Sequence, residues 1–144
     1  MATDRRAEVT WKGSLMDGSG TITSTTSGVI GEQAVSWPSR AEDGPKQTSP
    51  EELIAAAHAA CFSMALSHGL AQAGNAAEEL QTSATVTFQP GEGITKIALT
   101  VRGNVPGIDE GQFKEAAETA KANCPVSKAL AGVPEITLDA SFSS

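Results

Sequence analysis

The chain has 144 residues, enough for one domain with a buried core, and no repeat or long linker divides it, so we expect a single domain over residues 1–144. Hydrophobic residues make up 40% and charged residues 19% of the chain, which excludes a disordered protein. The formal net charge of −7 argues against nucleic acid and anionic membrane surfaces as partners.

The chain shows no targeting signal. Its N-terminal residues lack the apolar stretch of a secretory signal, and no apolar run approaches the ~20 residues of a membrane helix. We therefore expect a cytoplasmic protein. In that compartment a structural disulfide is rare, and a transient one is more often catalytic or regulatory.

Short strands are expected in the first third of the chain. Residues 7–12 alternate between apolar and polar side chains, which predicts a half-buried strand. Two more short strands are expected within residues 20–37, separated by Ser27 and Gly28. Residues 38–47 are polar and predict a loop.

A long helix is clearly marked after this loop. Ser49 is a good cap, Pro50 fits the first helical position, and Glu52 completes a capping box with Ser49. Gly74 is a stop signal. The helix is rich in alanine and apolar on more than one side, which predicts a central helix covered by sheet.

The second half of the chain alternates strands with helices. Residues 84–88 and 97–101 predict a hairpin of two strands. A helix from Asp109 to about residue 122, a short helix beginning near Cys124 and a last strand over residues 136–142 follow. This order predicts an α+β fold with antiparallel sheets around the long helix.

Cys61 and Cys124 are the only cysteines of the chain. Two thiols are the minimum for a redox cycle in which one sulfur is oxidised and the other closes a disulfide. Cys124 precedes Pro125 at a predicted helix start, where backbone N–H groups and the helix dipole stabilise a thiolate. Cys61 lies within a helix, where an apolar setting raises a thiol pKa, so its local sequence favours a core residue.

A reactive Cys61 needs a nearby cation, for which Arg40, His58 and Lys128 are the candidates. Glu51 has only the general preference of a first helical turn for acids to explain it. It precedes Cys61 by ten residues, about 15 Å along a helix axis. The two therefore meet only if this helix packs antiparallel against its copy in a dimer.

The residue types also allow other kinds of site to be considered, which are a metal site, a hydrolase site and a phosphate-binding loop. His58 and His68 flank Cys61, but their spacing is not that of a usual zinc site, so no metal is expected. A Cys–His hydrolase stays open, since His58 lies three residues before Cys61, although no third group is evident to orient the imidazole. No glycine-rich phosphate loop is present.

Two segments resemble the OsmC/Ohr family. The stretch SPEELIAAAHAACFSMAL at residues 49–66 resembles the family's central helix, in the form of the osmotically inducible OsmC branch. The stretch NCPVSKAL at residues 123–130 resembles the family's second cysteine motif. The order of elements and the length extend the resemblance over nearly the whole chain.

The resemblance implies an intertwined homodimer with two active sites at its interface. It implies a peroxidase that reduces organic hydroperoxides and, less efficiently, hydrogen peroxide. Cys61 is then the peroxidatic cysteine and Cys124 the resolving cysteine. Arg40 maps to the family's activating arginine and Glu51 to the acid that orients it.

In the implied reaction Cys61 becomes a sulfenic acid and then forms a disulfide with Cys124. An external dithiol, in this family typically a lipoyl-bearing protein, reduces the disulfide, and no cofactor or metal is implied. Arg5 and Arg6 are alternatives to Arg40. A thiol-dependent hydrolase and a non-enzymatic dimeric stress protein remain as alternative functions.

Overall fold

The computed structural model describes residues 1–143. The chain forms two compact units, Met1–Glu51 and Glu52–Ser144, and each contains one three-stranded sheet. The fold is α+β, as predicted. The expectation of a single domain stays a prediction.

The N-terminal unit is built on an antiparallel sheet of β1 (Ala7–Lys12), β2 (Ser19–Thr25) and β3 (Gln33–Val35). The three predicted strands are confirmed. The prediction that β1 is half-buried is wrong, because all six of its residues are exposed. Trp11 pairs with Gly20, where an added Cβ would lie 2.6 Å from the indole ring, so only glycine lets the ring lie this close to β2.

A short helix, α1 (Trp37–Ala41), occupies the start of the segment predicted as a polar loop, and the prediction is wrong there. Ser36 and Ser39 form a capping box, in which each backbone N–H donates to the other residue's hydroxyl oxygen, at 3.1 and 3.3 Å. Pro38 stabilises the first turn because its φ is already helical. The polar residues of this segment predict a loop, although the same segment contains the capping box of a helix. Arg40 lies in the last turn of this helix.

The long helix α2 (Pro50–Gln72) begins at the predicted residue. It ends in a Schellman motif, in which Gly74 adopts a φ of +89°. The N–H of Gly74 donates to the carbonyl of Ala71 at 3.0 Å, and the N–H of Asn75 donates to that of Leu70 at 2.9 Å. The predicted stop at Gly74 is confirmed.

Only one face of α2 is buried in the described chain. Beyond the first turn, its buried residues lie at intervals of four and are His58, Phe62, Leu66 and Leu70. Met64, on another face, is 72% exposed. By length and composition alone α2 could cross a membrane, contrary to the expectation from sequence, but core helices of soluble proteins pass the same test.

The C-terminal unit contains the sheet β4 (Glu79–Gln89), β5 (Gly93–Asn104) and β6 (Glu135–Ser143), in that order. The predicted hairpin is confirmed, since β4 and β5 pair antiparallel. The prediction of purely antiparallel sheets is wrong, because β6 pairs parallel to β5. The helices between these two strands supply the crossover that a parallel pair requires.

That crossover consists of α3 (Glu110–Asn123) and α4 (Pro125–Ala129). The start of α3 is confirmed, with Asp109 and Gln112 forming a capping box. Cys124 ends α3 and precedes α4, with non-helical backbone angles. The junction places its sulfur in the core of the unit, which consists of Phe62, Leu66, Leu70, Ile97, Leu99, Val101, Val105, Phe113, Ala117, Ala120 and Cys124.

Candidate active site

The two cysteines are in direct contact. Their Sγ atoms lie 2.9 Å apart although the residues are 63 positions apart in sequence, and both are free thiols. A disulfide bond is about 2.05 Å long, so a small movement of the side chains suffices to form one. Cys124 is completely buried, whereas Cys61 is partly exposed.

The two thiols differ in acidity. Burial raises the pKa of Cys61, and the hydrogen bond with Cys124 raises it further, against a smaller lowering effect of the Val126 backbone N–H. Burial alone would also raise the pKa of Cys124, but hydrogen bonds from Cys61, from the N–H and hydroxyl of Ser127 and from the N–H of Val126 together lower it. Cys124 is therefore the more acidic thiol, as its place at a helix start predicted.

His58 extends this cluster into the core. Its side chain is completely buried, and Nε2 lies 2.7 Å from Oγ of Ser127. Nδ1 is buried and has no hydrogen-bond partner among the described residues. Burial lowers the pKa of His58, which keeps the imidazole neutral. His58 thus contacts Ser127, Ser127 helps to lower the pKa of Cys124, and the sulfur of Cys124 contacts that of Cys61.

Sequence reasoning did not single out Ser127 or the direction in which His58 points. Ser127 lies one helical turn after Cys124, and His58 lies one turn before Cys61, so the spacing held a weak signal. A Cys–His hydrolase also needs a third group that orients the imidazole, and the sequence shows none. In the structure Nε2 of His58 contacts Ser127 and not Cys61, which does not favour a Cys–His hydrolase.

Arg40 and Glu51 form an ion pair within the N-terminal unit. Nε of Arg40 donates to both carboxylate oxygens of Glu51, at 3.0 and 3.3 Å, and Nη2 donates to Oε2 at 3.1 Å. Glu51 is only 6% exposed. Such a forked pair holds the guanidinium plane in one orientation. The expected contact between Glu51 and Arg40 is confirmed.

The remaining cation candidates have other contacts. Lys128 donates its backbone N–H to the carbonyl of Cys124 at 3.0 Å. Arg6 pairs with Glu8 at 2.9 Å, and Arg5 donates to the backbone of its neighbour.

His68 lines an open cleft of about 560 Å³ between α2 and α3, and neither cysteine lies in its wall. Within residues 1–143, no group of three His, Cys, Asp or Glu side chains is placed to hold a metal ion.

The chain is similar in sequence to proteins with related names. The family described as OsmC-like protein matches residues 43–139. Peroxiredoxin OsmC of Escherichia coli strain K12 is 46% identical over 142 residues, which cover 96% of each chain. The organic hydroperoxide resistance protein OhrB of Bacillus subtilis is 33% identical over 104 residues, covering 71% of this chain and 76% of OhrB.

Solved structures share the fold. An organic hydroperoxide resistance protein from Elizabethkingia anophelis has a TM-score of 0.68 at 27% identity, covering 99% of this chain and 100% of its own. An OsmC-like protein from Mycoplasma pneumoniae has a TM-score of 0.70 over the same shares at 18% identity, which shows the fold alone. On sequence and fold together, the chain belongs to the OsmC-like protein family.

Proposed function

We propose that this protein is a thiol-dependent peroxidase that reduces organic hydroperoxides to alcohols, and hydrogen peroxide less efficiently, in defence against oxidative and osmotic stress. The observation that carries the proposal is the contact between Cys61 and Cys124, 2.9 Å apart at the edge of a closed core. Relatives named peroxiredoxin OsmC and organic hydroperoxide resistance protein support the same chemistry.

The reaction proceeds in two steps at the sulfur pair. The Cys61 thiolate attacks the outer peroxide oxygen, the O–O bond breaks, and the alkoxide takes a proton to leave as alcohol. Cys61 is now a sulfenic acid. The Cys124 thiolate then attacks the sulfur of Cys61, the S–O bond breaks, and hydroxide takes a proton to leave as water. The resulting disulfide is reduced by an external dithiol.

Accessibility supports this assignment of the two roles. A peroxide must reach the attacking sulfur, and Cys61 is partly exposed whereas Cys124 is completely buried. The lowered pKa of Cys124 suits its role, because the resolving sulfur must be a thiolate when the sulfenic acid forms. The raised pKa of Cys61 does not suit a peroxidatic role unless a cation offsets it.

We assign that cation to Arg40, held in orientation by Glu51. A fixed guanidinium near Cys61 would favour its thiolate and stabilise the charge that develops on the departing oxygen. The forked contact between Arg40 and Glu51 supports this role, since it fixes the direction of the positive charge. In the proposed assembly, Arg40 and Glu51 of one chain complete the site around Cys61 of a second copy.

The assembly we propose is an intertwined homodimer. In its favour, several large apolar side chains are exposed in the single chain, and they are Val9, Trp11, Leu15, Met16, Val29, Ile30 and Met64. Pairing of two copies would remove this apolar surface from water. Measurement of the molar mass in solution tests the dimer, and a monomer at micromolar concentration would contradict it.

The proposed cycle uses no prosthetic group. Electrons come from a dithiol, for which a lipoyl-bearing protein is the proposed donor. We also propose that the protein works in the bacterial cytoplasm, where the reducing environment returns the cysteine pair to free thiols. Reduction of the oxidised protein by dihydrolipoamide, and not by a monothiol at equal thiol concentration, tests the choice of donor.

Thiol counting after peroxide addition tests the function directly. One equivalent of an organic hydroperoxide is added to reduced protein, and free thiols are titrated. Loss of both thiols, abolished in Cys61→Ser, is expected. In Cys124→Ser a sulfenic acid on Cys61 becomes trappable by a dione reagent. Survival of both thiols would contradict the proposal and favour a non-enzymatic protein.

A further inference from the structure

His58 is a buried titratable side chain for which the proposed reaction has no use. It is one of the largest fully buried side chains of the unit, and its polar contact is Ser127 Oγ at 2.7 Å. Ser127 is itself nearly buried, lies three residues after Cys124 in the first turn of α4, and helps to lower the pKa of Cys124 through its hydroxyl and its backbone N–H. A histidine in a core needs an explanation, because an apolar residue would fill the same volume without a desolvated ring nitrogen.

The hydrogen count restricts how this line of groups can be bonded. A neutral imidazole carries one N–H, and a serine hydroxyl carries one O–H. If the proton of His58 is on Nδ1, then Ser127 donates its only hydrogen to Nε2 and has none left for Cys124. If the proton is on Nε2, the imidazole donates to Ser127 and the hydroxyl hydrogen is free to point at the sulfur.

Burial distinguishes the two tautomers. Nδ1 has no partner among the described residues, so the first tautomer would bury an unpaired N–H donor. The second leaves only an unpaired lone pair there, and buried donors without a partner are rarer in proteins than under-satisfied acceptors. The proton therefore resides on Nε2, and each hydrogen of the line points toward Cys124.

We propose that His58 is a positioning residue for Cys124: its Nε2–H donates to Ser127 Oγ and so directs the Ser127 hydroxyl to donate to the Cys124 sulfur. The description of Cys124 as the resolving thiol rests on the proposed function, but the hydrogen-bond arrangement does not. His58 and Ser127 keep their own protons throughout. They stabilise the Cys124 thiolate that forms the S–S bond while the S–O bond of the Cys61 sulfenic acid breaks and hydroxide takes a solvent proton.

Two amide substitutions separate this role from core packing. In His58→Gln the amide N–H reaches the position of Nε2 and still donates to Ser127. In His58→Asn the shorter amide reaches only the position of Nδ1. Both variants are introduced into Cys61→Ser, where Cys124 is the remaining thiol, and the Cys124 pKa is read from ultraviolet thiolate absorbance against pH.

We expect His58→Asn to raise the pKa of Cys124 by about one, which is about tenfold less thiolate at a fixed pH, and His58→Gln to leave it nearly unchanged. Ser127→Ala should raise it as much as His58→Asn, and the two together no further, because His58 acts through the hydroxyl. Equal values in the Asn and Gln variants, or additive effects of His58→Asn and Ser127→Ala, would overturn the proposal.

A kinetic measurement in the two-cysteine protein gives a readout that a packing role would not move. With His58→Asn, we expect one thiol to be lost to peroxide at the unchanged rate and disulfide closure to slow about tenfold, so that a trappable sulfenic acid accumulates. Closure at the unchanged rate would overturn the proposal. If no thiol reacts with peroxide in either protein, the proposed function fails, while the titration of Cys124 still decides the role of His58.

Discussion

The two units of the chain treat their polar groups in opposite ways. The N-terminal unit, Met1–Glu51, has mostly exposed strands, and in its ion pair with the buried Glu51 the side chain of Arg40 stays partly exposed to solvent. The C-terminal unit, Glu52–Ser144, buries Cys124 and a neutral histidine in its core and holds the partly exposed Cys61 against that core. The charged pair thus lies in a unit with little core, whereas the two thiols are held together by dense packing.

The largest expected effect contrasts the cores of the two units. Phe113 is completely buried in the C-terminal unit and contacts the ring of Phe142, with centroids 5.5 Å apart. Phe113→Ala should lower the free energy of unfolding by about 3–5 kcal/mol through lost burial and a residual cavity. Lys46→Ala, at an exposed position of the N-terminal unit, should change it by less than about 0.5 kcal/mol. Urea unfolding measures both, and similar values would remove the contrast between the units.

The next effect concerns the charge of the N-terminal unit. Arg40→Ala in a Cys124→Ser background should slow the reaction of Cys61 with peroxide about tenfold or more, because loss of a nearby cation raises a thiol pKa. Arg40→Lys keeps a positive charge but lacks the planar guanidinium, so its reaction rate should lie between the rates measured with Arg40 and with Arg40→Ala. Stopped-flow thiol loss measures the rate, with Lys46→Ala as the control. A slower rate in Arg6→Ala but not in Arg40→Ala would reassign the activating arginine.

A smaller effect compares two glycines beneath aromatic rings, one in each unit. A Cβ at Gly103 would lie 2.3 Å from the buried ring of Phe113, and a Cβ at Gly20 would lie 2.6 Å from the ring of Trp11, which is 40% exposed. Gly103→Ala should cost about 1–3 kcal/mol, because the enclosed ring cannot move aside. Gly20→Ala should cost less, since the ring of Trp11 is less enclosed within its own chain than the ring of Phe113. Gly132→Ala, with no atom within 4 Å, is the control for chemical denaturation.

The smallest effect is a pH dependence of stability that belongs to the C-terminal unit. Burial lowers the pKa of His58 from its ordinary 6.5, so on acidification the unfolded chain binds a proton before the native chain does. Stability therefore falls as the pH drops from 6.5 to the lowered value, by no more than about 1.4 kcal/mol per pH unit for one proton.

The comparison of wild type with His58→Gln isolates that contribution. Urea midpoints measured near neutrality and at about pH 5.5 should differ less in the variant, because all other titratable groups are shared and cancel. An equal loss of stability in both proteins would show that His58 already binds its proton in the native state.

The sequence predicted local structure correctly where that structure depends only on residues within one short segment. Pro50 and Asp109 marked their helices, because caps depend only on residues within one turn. The same reasoning indicated that Cys124 is the more acidic thiol, although the largest lowering of its pKa comes from the hydrogen bond with the distant Cys61 and the backbone N–H groups of the helix start only add to it. It failed over residues 37–41, where a capping box lay inside a polar run.

Features that depend on distant segments were not predictable in this way. The alternation in β6 was evident, but its direction beside β5 depends on the crossover through α3 and α4. The exposure of β1 was misjudged because an alternating pattern identifies two faces without showing what covers either of them. The spacing of His58 was visible, whereas its partner Ser127 is 69 positions away.

The sequence by itself determined which groups were candidates for a reaction, since its residue types and two cysteine motifs single out two thiols together with Arg40, Glu51 and His58. Only the tertiary structure decided that the sulfurs of Cys61 and Cys124 are in contact, that Arg40 donates to the carboxylate of Glu51, and that His58 contacts Ser127. The physical reason is that reactivity depends on distances of a few ångströms. Hydrophobic packing of elements far apart along the chain determines such distances, and no local pattern encodes them.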